Sequence, residues 1–132
     1  MIIHARPPNF SHIALAFPFA DRPGVIFSWG EDIFNPSGVE IPGELLAHER
    51  AHGQRQLAPG MNPYFWWERY IEDPKFRLEE ELAGHKAEYA AFKSHEHNAR
   101  KRERMLGHIA EKFSSPLYGS MITQPHARRL LR

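Results

Sequence analysis

His48, Glu49 and His52 form an H-E-x-x-H pattern near the middle of the 132-residue chain. On a helix, His48 and His52 would lie about 40° apart and one turn apart along the axis, so both imidazoles can reach one cation. Neutral imidazole is a good zinc ligand, and a neighbouring carboxylate can take a proton from a metal-bound water. The pattern therefore predicts a zinc site with hydrolytic chemistry.

Both histidines fall on the side of the helix that should face the core. An apolar stripe leads into them, because residues of one helical face recur every three or four positions. The stripe comprises Ile41, Leu45, His48, His52 and Gln56. A buried imidazole pair needs hydrogen-bond partners or a metal ion, since burial without either costs free energy. The alternative interpretation is a solvated helix whose histidines only border the core.

A catalytic zinc ion commonly has three protein ligands and one open position, so a third ligand must lie elsewhere in the chain. The metzincin pattern would require glycine at position 55 and histidine at position 58, but the chain has Arg55 and Ala58. A later helix is the other common source. Residues 73–96 read as one long helix, because Asp73 and Pro74 suit its N-cap and first turn. This segment carries three candidates, Glu79, Glu80 and Glu81.

Helical geometry favours Glu81 among these three candidates. The buried stripe of the segment is predicted to comprise Leu78, Leu82, His85, Tyr89 and Phe92. Glu81 lies only about 60° from Leu78 around the helix axis. Glu79 lies about 100° from Leu78, and Glu80 lies nearly opposite it. We therefore expect Glu81 to be the third ligand, with Glu80 as the second choice.

Two further residues, His85 and Glu88, lie one and two turns beyond Glu81 on the same side of the predicted helix. They can hydrogen-bond a metal ligand or contact a substrate, as groups beside metal ligands commonly do. A surface ion pair between them is an equally acceptable interpretation.

The H-E-x-x-H pattern followed by a helix-borne glutamate resembles the gluzincin arrangement of the zincin superfamily. The whole chain also resembles the short, single-domain metallopeptidases found in phage and prophage regions. The resemblance is most specific over residues 48–56 and 63–89, and the segment 114–119 adds to it. It implies a small zincin-like domain in which zinc is the cofactor. The implied ligands are His48, His52 and Glu81, and the implied catalytic base is Glu49.

The expected reaction is metal-assisted hydrolysis of a peptide or amide bond. Glu49 would take a proton from the zinc-bound water and return it to the leaving amine. The developing oxyanion needs a further donor, for which Tyr118 and His85 are candidates. Tyr118 lies in a stretch rich in serine, proline and glycine that can fold over a cleft. The substrate would be a protein, a peptide or the peptide crossbridge of a cell wall.

Two other classes of function remain open. In one, the protein binds zinc but is catalytically silent and serves as a structural or assembly component, for example of a phage particle. The presence of Glu49 weighs against this class, because metal binding alone does not require that carboxylate. In the other class, the histidines bind nothing and the protein is a helical interaction module.

Two other groups of residues are assigned to ordinary structural roles. The aromatic residues at 64–67, with Tyr70 and Ile71, can form a substrate wall, but such clusters more often pack in a core. The basic segment 100–104 is interrupted by Glu103 and has no interleaved aromatic residues. A solvated helix face is therefore favoured there over nucleic-acid binding.

The composition fits one globular domain over residues 1–132. The net charge of +1 gives no general attraction to nucleic acid or to anionic membranes. No stretch approaches the roughly 20 apolar residues of a membrane span, and no secretory signal is evident, so a cytoplasmic or phage-associated location is expected. The chain has no cysteine, which excludes disulfides and thiolate zinc ligands.

Hydropathy patterning predicts an α+β fold, with short antiparallel strands first and a helical bundle carrying the zinc site after them. Strands are expected at 12–17, at 25–29 and, more weakly, at 32–41, which makes residues 1–41 strand-rich. Helical periodicity then covers 42–58, 63–72, 74–96, 99–113 and 124–131. An exposed strand edge beside the zinc helix would let a peptide add as an extra strand.

Overall fold

The computed structural model describes residues 1–114 and 122–132. Within these residues the chain forms a small three-stranded sheet near its N-terminus and six α-helices. The predicted α+β class is therefore confirmed. None of the described helices is both long enough and apolar enough to cross a membrane.

The sheet consists of β1 (Ile2–Ile3), β2 (Phe27–Trp29) and β3 (Asp32–Phe34), with β3 in the middle. β3 pairs antiparallel with β2 and parallel with β1. Only Gly30 and Glu31 separate β2 from β3. Gly30 has a φ of +60°, which glycine adopts without steric cost, so the turn can be this tight.

The predicted strand at 12–17 is wrong, because this segment is helical. α1 (Phe10–Ala16) covers it, and a 3₁₀ helix (Pro18–Asp21) follows. The apolar run lacks the alternation that identifies a strand, and its alanine and leucine residues favour helix. Ile13 is buried whereas Leu15 is 85% exposed, so one side of this short helix faces the core.

The other two predicted strands are present but shorter than expected, since β2 and β3 hold only part of the predicted segments. β1 was not predicted. It is anchored by backbone hydrogen bonds from Ile33 to the Met1 carbonyl and from Asn35 to the Ile3 carbonyl, at 2.9 and 2.7 Å. Because β1 runs parallel to β3, the expectation of antiparallel strands holds only for the β2–β3 hairpin.

The remaining helices begin and end within two residues of their predicted bounds. They are α2 (Gly43–Gln56), α3 (Pro63–Glu72), α4 (Pro74–His95), α5 (Ala99–Ser114) and α6 (Gln124–Leu131). Side-chain caps define four of the starts, because Asn62, Asp73, Asn98 and Thr123 each accept a backbone N–H from the first turn that follows.

Two hydrophobic clusters flank the line along which α2 packs on α4. The first joins α4, α5 and α6 through Tyr89, Leu106, Ile109, Ala110, Phe113, Ala127 and Leu131. The second joins α1, the 3₁₀ helix, the sheet, α3 and α4 through Ile13, Ala20, Phe27, Trp66, Trp67 and Phe76. The ring of His85 contacts the ring of Phe113, and the ring of His52 contacts that of Trp66. The polar residues between α2 and α4 therefore lie between both clusters.

The C-terminal half of α2 rests directly on the β2–β3 turn. A β-carbon at Gly53 would collide with the carbonyl oxygen of Gly30, so glycine is needed for this approach. The Gln56 side chain then ties helix to sheet. Its oxygen accepts the Gly30 N–H at 2.6 Å, and its nitrogen donates to the Ser28 hydroxyl oxygen at 3.0 Å. These contacts fix the orientation of α2 and of its histidines.

Candidate metal centre

Five buried polar side chains from two helices meet between the hydrophobic clusters. α2 supplies His48 and His52, and α4 supplies Glu81, His85 and Glu88. Each of these residues is at most 5% exposed. Buried ionisable groups are stable only when they are hydrogen-bonded to one another or bind an ion. The structure thus places His48, His52 and Glu81 together, on the helices where the sequence predicted them.

The candidate ligand atoms of His48, His52 and Glu81 form a compact triangle. His48 Nε2 lies 3.0 Å from His52 Nε2 and 3.2 Å from Glu81 Oε2, and His52 Nε2 lies 3.3 Å from Glu81 Oε1. Ligands that bind a tetrahedral zinc ion at about 2.0–2.1 Å are separated from one another by about 3.3 Å. The three residues can therefore hold a metal ion with little rearrangement.

Glu88 contacts two of the histidines through one oxygen. Its Oε1 lies 3.0 Å from His48 Nδ1 and 3.2 Å from His85 Nδ1. In the neutral ring that a metal ion requires, His48 donates its Nδ1–H to this carboxylate, and its Nε2 carries the lone pair that faces Glu81 and His52. Glu88 thereby orients the His48 ring. The same three residues, His48, His85 and Glu88, also meet the distance requirements of a metal-binding group.

Tyr70 of α3 reaches the same centre, which the sequence did not indicate. Its hydroxyl donates to Glu81 Oε1 at 2.6 Å, and its ring stacks on Trp66. The prediction that the aromatic cluster packs in the core agrees with Trp66 and Trp67, which are buried, but Tyr64 is 62% exposed and Phe65 is 47% exposed.

The three consecutive glutamates of α4 have three different environments. Glu81 joins the histidines, and Glu79 is exposed. Glu80 is buried in a separate network, where it accepts Arg55 Nε–H at 2.6 Å and Trp66 Nε1–H at 2.5 Å. Glu80 therefore connects α4 to α2 and α3, and only Glu81 of the three lies at the histidines.

Burial and neighbouring charges act in opposite directions on the pKa values of the centre. Burial lowers the pKa of His48, but hydrogen bonds with Glu81 and Glu88 outweigh this and raise the pKa to about 10. Burial raises the pKa of Glu81 and of Glu88, but contacts with the neighbouring histidines reverse the sign and hold both pKa values below the usual range. Both carboxylates therefore stay charged at neutral pH and attract a cation.

Glu49 has a different environment from the other glutamates. Burial raises its pKa, and the nearby His48 and His52 only partly offset this effect. The side chain also accepts a hydrogen bond from Ser28. A carboxylate with a raised pKa, next to a group that can bind a metal, is a candidate general base.

A cavity of about 140 Å³ adjoins the centre on the side of Glu49. Its polar lining includes Glu49, His52 and Glu81. Most of its remaining lining is apolar and comes from α1, the 3₁₀ helix, β2 and α3. A molecule in this cavity would therefore contact the Glu49 carboxylate and two residues of the candidate metal site, His52 and Glu81.

The strand nearest the centre, β2, is at an edge of the sheet, but its carbonyl at Ser28 is already occupied. This oxygen accepts from Trp67 Nε1–H at 3.0 Å and from Gln56 Nε2–H at 3.3 Å, and Ser28 is buried. The expected open strand edge is thus covered at Ser28 by two side chains of the protein itself.

The structure describes only one of the two oxyanion donors that the sequence suggested. His85 is buried against Phe113, and the described residues that line the cavity do not include it. Tyr118 lies outside the described residues. Tyr70 lines the cavity and carries a hydroxyl, so within the described residues it is better placed than His85 to contact a bound molecule.

Comparisons with models of protein families, with curated proteins and with solved structures found no match for this chain. The geometry of the buried histidines and glutamates is therefore the basis for assigning a function.

Proposed function

We propose that this protein is a zinc-dependent metallopeptidase of the zincin type. In this proposal His48, His52 and Glu81 bind the ion, and Glu49 is the general base. The observation that carries the proposal is that Glu49, His52 and Glu81 line one cavity. A substrate in that cavity would meet the ion and the base together, which hydrolysis requires and which metal storage does not.

The donor set supports zinc as the ion. Two neutral imidazoles and one carboxylate are ligands of known catalytic zinc sites, and a fourth position is left for water or substrate. Zinc, when bound, supplies a Lewis acid that lowers the pKa of water and polarises a carbonyl group. The negative charge of Glu81 and the orienting contact from Glu88 to His48 both favour cation binding at this position.

The residues of the chain divide the work of hydrolysis. Glu49 accepts a proton from the attacking water on its carboxylate and passes it to the departing amine. Its raised pKa makes this carboxylate a stronger base than an exposed glutamate, which favours acceptance of the proton. The Tyr70 hydroxyl holds Glu81, and the apolar lining beside Glu49 excludes bulk water from the reacting bond.

The test combines metal content with activity on the full chain. Protein purified without chelator or added zinc should contain about one zinc per chain, and His48→Ala should contain far less. The zinc-loaded protein should cleave a mixture of fluorogenic peptides, and a chelator should stop the cleavage until zinc is restored. Zinc bound without any cleavage would favour the alternative of a catalytically silent zinc protein. Absence of binding even with added zinc would contradict both.

A further inference from the structure

The cavity beside Glu49 is built to hold an apolar group. Its apolar lining includes Phe17, Phe27, Trp66 and Trp67, from three different segments of the chain. Phe27, Trp66 and Trp67 are buried in the second hydrophobic cluster and hold one another through ring contacts. The shape of the cavity is therefore set by packed side chains and is present before any ligand arrives.

The size of the cavity matches a single large side chain. Its volume is about 140 Å³. Engineered apolar cavities of about 150 Å³ stay dry and bind benzene. A phenyl ring or a branched aliphatic group would therefore fit, whereas two such groups would not.

The charged groups at the cavity already have partners. Arg77 donates from Nη1 to the carbonyls of Tyr70 and Ile71, at 2.8 and 3.2 Å, and faces the Phe17 ring. Glu81 is held by the two histidines and by Tyr70. A charged substrate side chain would lose its water without gaining a matched partner from the apolar lining, so an apolar one is favoured.

We propose that this cavity binds one aromatic or branched aliphatic side chain of a peptide substrate. The bond that is cleaved is then the peptide bond next to that substrate residue, and it lies beside Glu49. This inference rests on the proposed function for its second half. Its first half, the binding of an apolar group, requires neither zinc nor catalysis and can be tested separately.

Binding is measured first, with benzene as the probe and the full chain as the protein. The chain has three tryptophans, of which Trp66 and Trp67 line the cavity and Trp29 does not. Benzene should shift the indole N–H resonances of Trp66 and Trp67 saturably and leave that of Trp29 unchanged. Shifts that do not saturate, or that affect all three alike, would overturn the inference whatever the activity.

Two variants change the volume of the cavity in opposite directions: Ala20→Leu reduces it and Phe17→Ala increases it. Ala20→Leu adds side-chain volume to the wall and should weaken benzene binding roughly tenfold or more. Ala16→Leu is the matched control, because Ala16 is exposed and outside the lining, and it should bind benzene like wild type. If Ala20→Leu fails to fold, Phe17→Ala enlarges the cavity and should favour indole over benzene. Unchanged preference in that folded variant would contradict the inference.

Substrate class is measured with zinc-loaded protein on peptides that differ at one residue. Peptides with phenylalanine or leucine should show kcat/KM roughly tenfold or more above the glycine and aspartate peptides. Ala20→Leu should reduce that ratio, and Ala16→Leu should not. Equal cleavage of all four peptides would overturn the substrate class but leave the proposed function standing. Saturable benzene binding with no cleavage of any peptide would overturn the proposed function and leave apolar binding supported.

Discussion

Gly84 of α4 lies so close to His48 of α2 that a β-carbon on it would come within 2.8 Å of His48 Nε2. In real structures, β-carbons essentially never come within 3.0 Å of a non-bonded heavy atom. The backbone of α4 therefore forms one wall of the candidate metal centre, and only glycine at position 84 leaves room for the imidazole between Glu81 and Glu88.

Replacement of this glycine should move His48 without removing any ligand. We expect Gly84→Ala to lower zinc affinity about 10–100-fold, as loss of a neighbouring contact commonly does. Competition with a chromophoric chelator measures the change. Gly43→Ala is the control, since a β-carbon at Gly43 meets no atom within 4 Å. Equal affinity in the two variants would show that His48 does not need this space.

Glu49→Gln separates catalysis from metal binding. The variant should retain wild-type zinc content and lose about 10²–10⁴-fold in kcat, because the amide cannot accept the proton. Glu79→Gln makes the same change at an exposed glutamate and should leave kcat unchanged. Hydrolysis that survives in Glu49→Gln at the wild-type rate would exclude Glu49 as the base.

The three neighbouring glutamates should respond differently to alanine. Glu81→Ala should abolish stoichiometric zinc binding. Glu80→Ala should keep zinc but lower the free energy of unfolding by about 1–3 kcal/mol, because Trp66 loses the acceptor for its buried N–H. Glu79→Ala should change neither quantity. Zinc titration and urea unfolding of all three variants test this order, and a larger loss of zinc in Glu80→Ala than in Glu81→Ala would reverse it.

Zinc binding should release a proton from His48. Its pKa is raised to about 10, so the imidazole is protonated at neutral pH in the metal-free protein, whereas zinc requires the free nitrogen. Affinity should therefore rise with pH from neutral up to about 10 and fall as the pH is lowered. Calorimetry at pH 7.5 in buffers of different ionisation enthalpy should report about one proton released per zinc.

Glu88→Gln provides the control for that proton. The variant removes one of the three carboxylates, Glu49, Glu81 and Glu88, that raise the pKa of His48, so fewer protons should be released and the pH dependence should weaken. A wild-type affinity that stays constant between pH 7 and pH 9 would contradict the assignment of the proton to His48.

The helices could be predicted because their signals are local. Asp73 and Pro74 mark the start of α4, and Asn62 marks that of α3. The segment 12–17 carries no such signal. It is a short apolar run, and in such a run periodicity alone does not separate a buried strand from a helix of two turns. Its helical state depends on the sheet and α3 against which it packs, which lie far away in sequence.

Part of the candidate site could be predicted for the same reason. The positions of His48, His52 and Glu81 follow from helical periodicity, because one face of each helix had to be buried. The burial of Glu80 could not be predicted in this way. Periodicity assigns one buried face to α4, but α3 covers a second one, and Glu80 meets Trp66 there. The contact of Tyr70 with Glu81 likewise depends on how α3 docks on α4.

The occupied carbonyl of Ser28 affects how a peptidase with this site would recognise its substrate. With Gln56 and Trp67 bonded to that oxygen, an extended chain cannot pair with β2 at this residue. Recognition would then depend on one anchoring residue and little on the sequence around it. A peptidase with this site would then select its substrate through that one apolar residue. Its selectivity in a cell would come from which chains expose an apolar residue, and for how long.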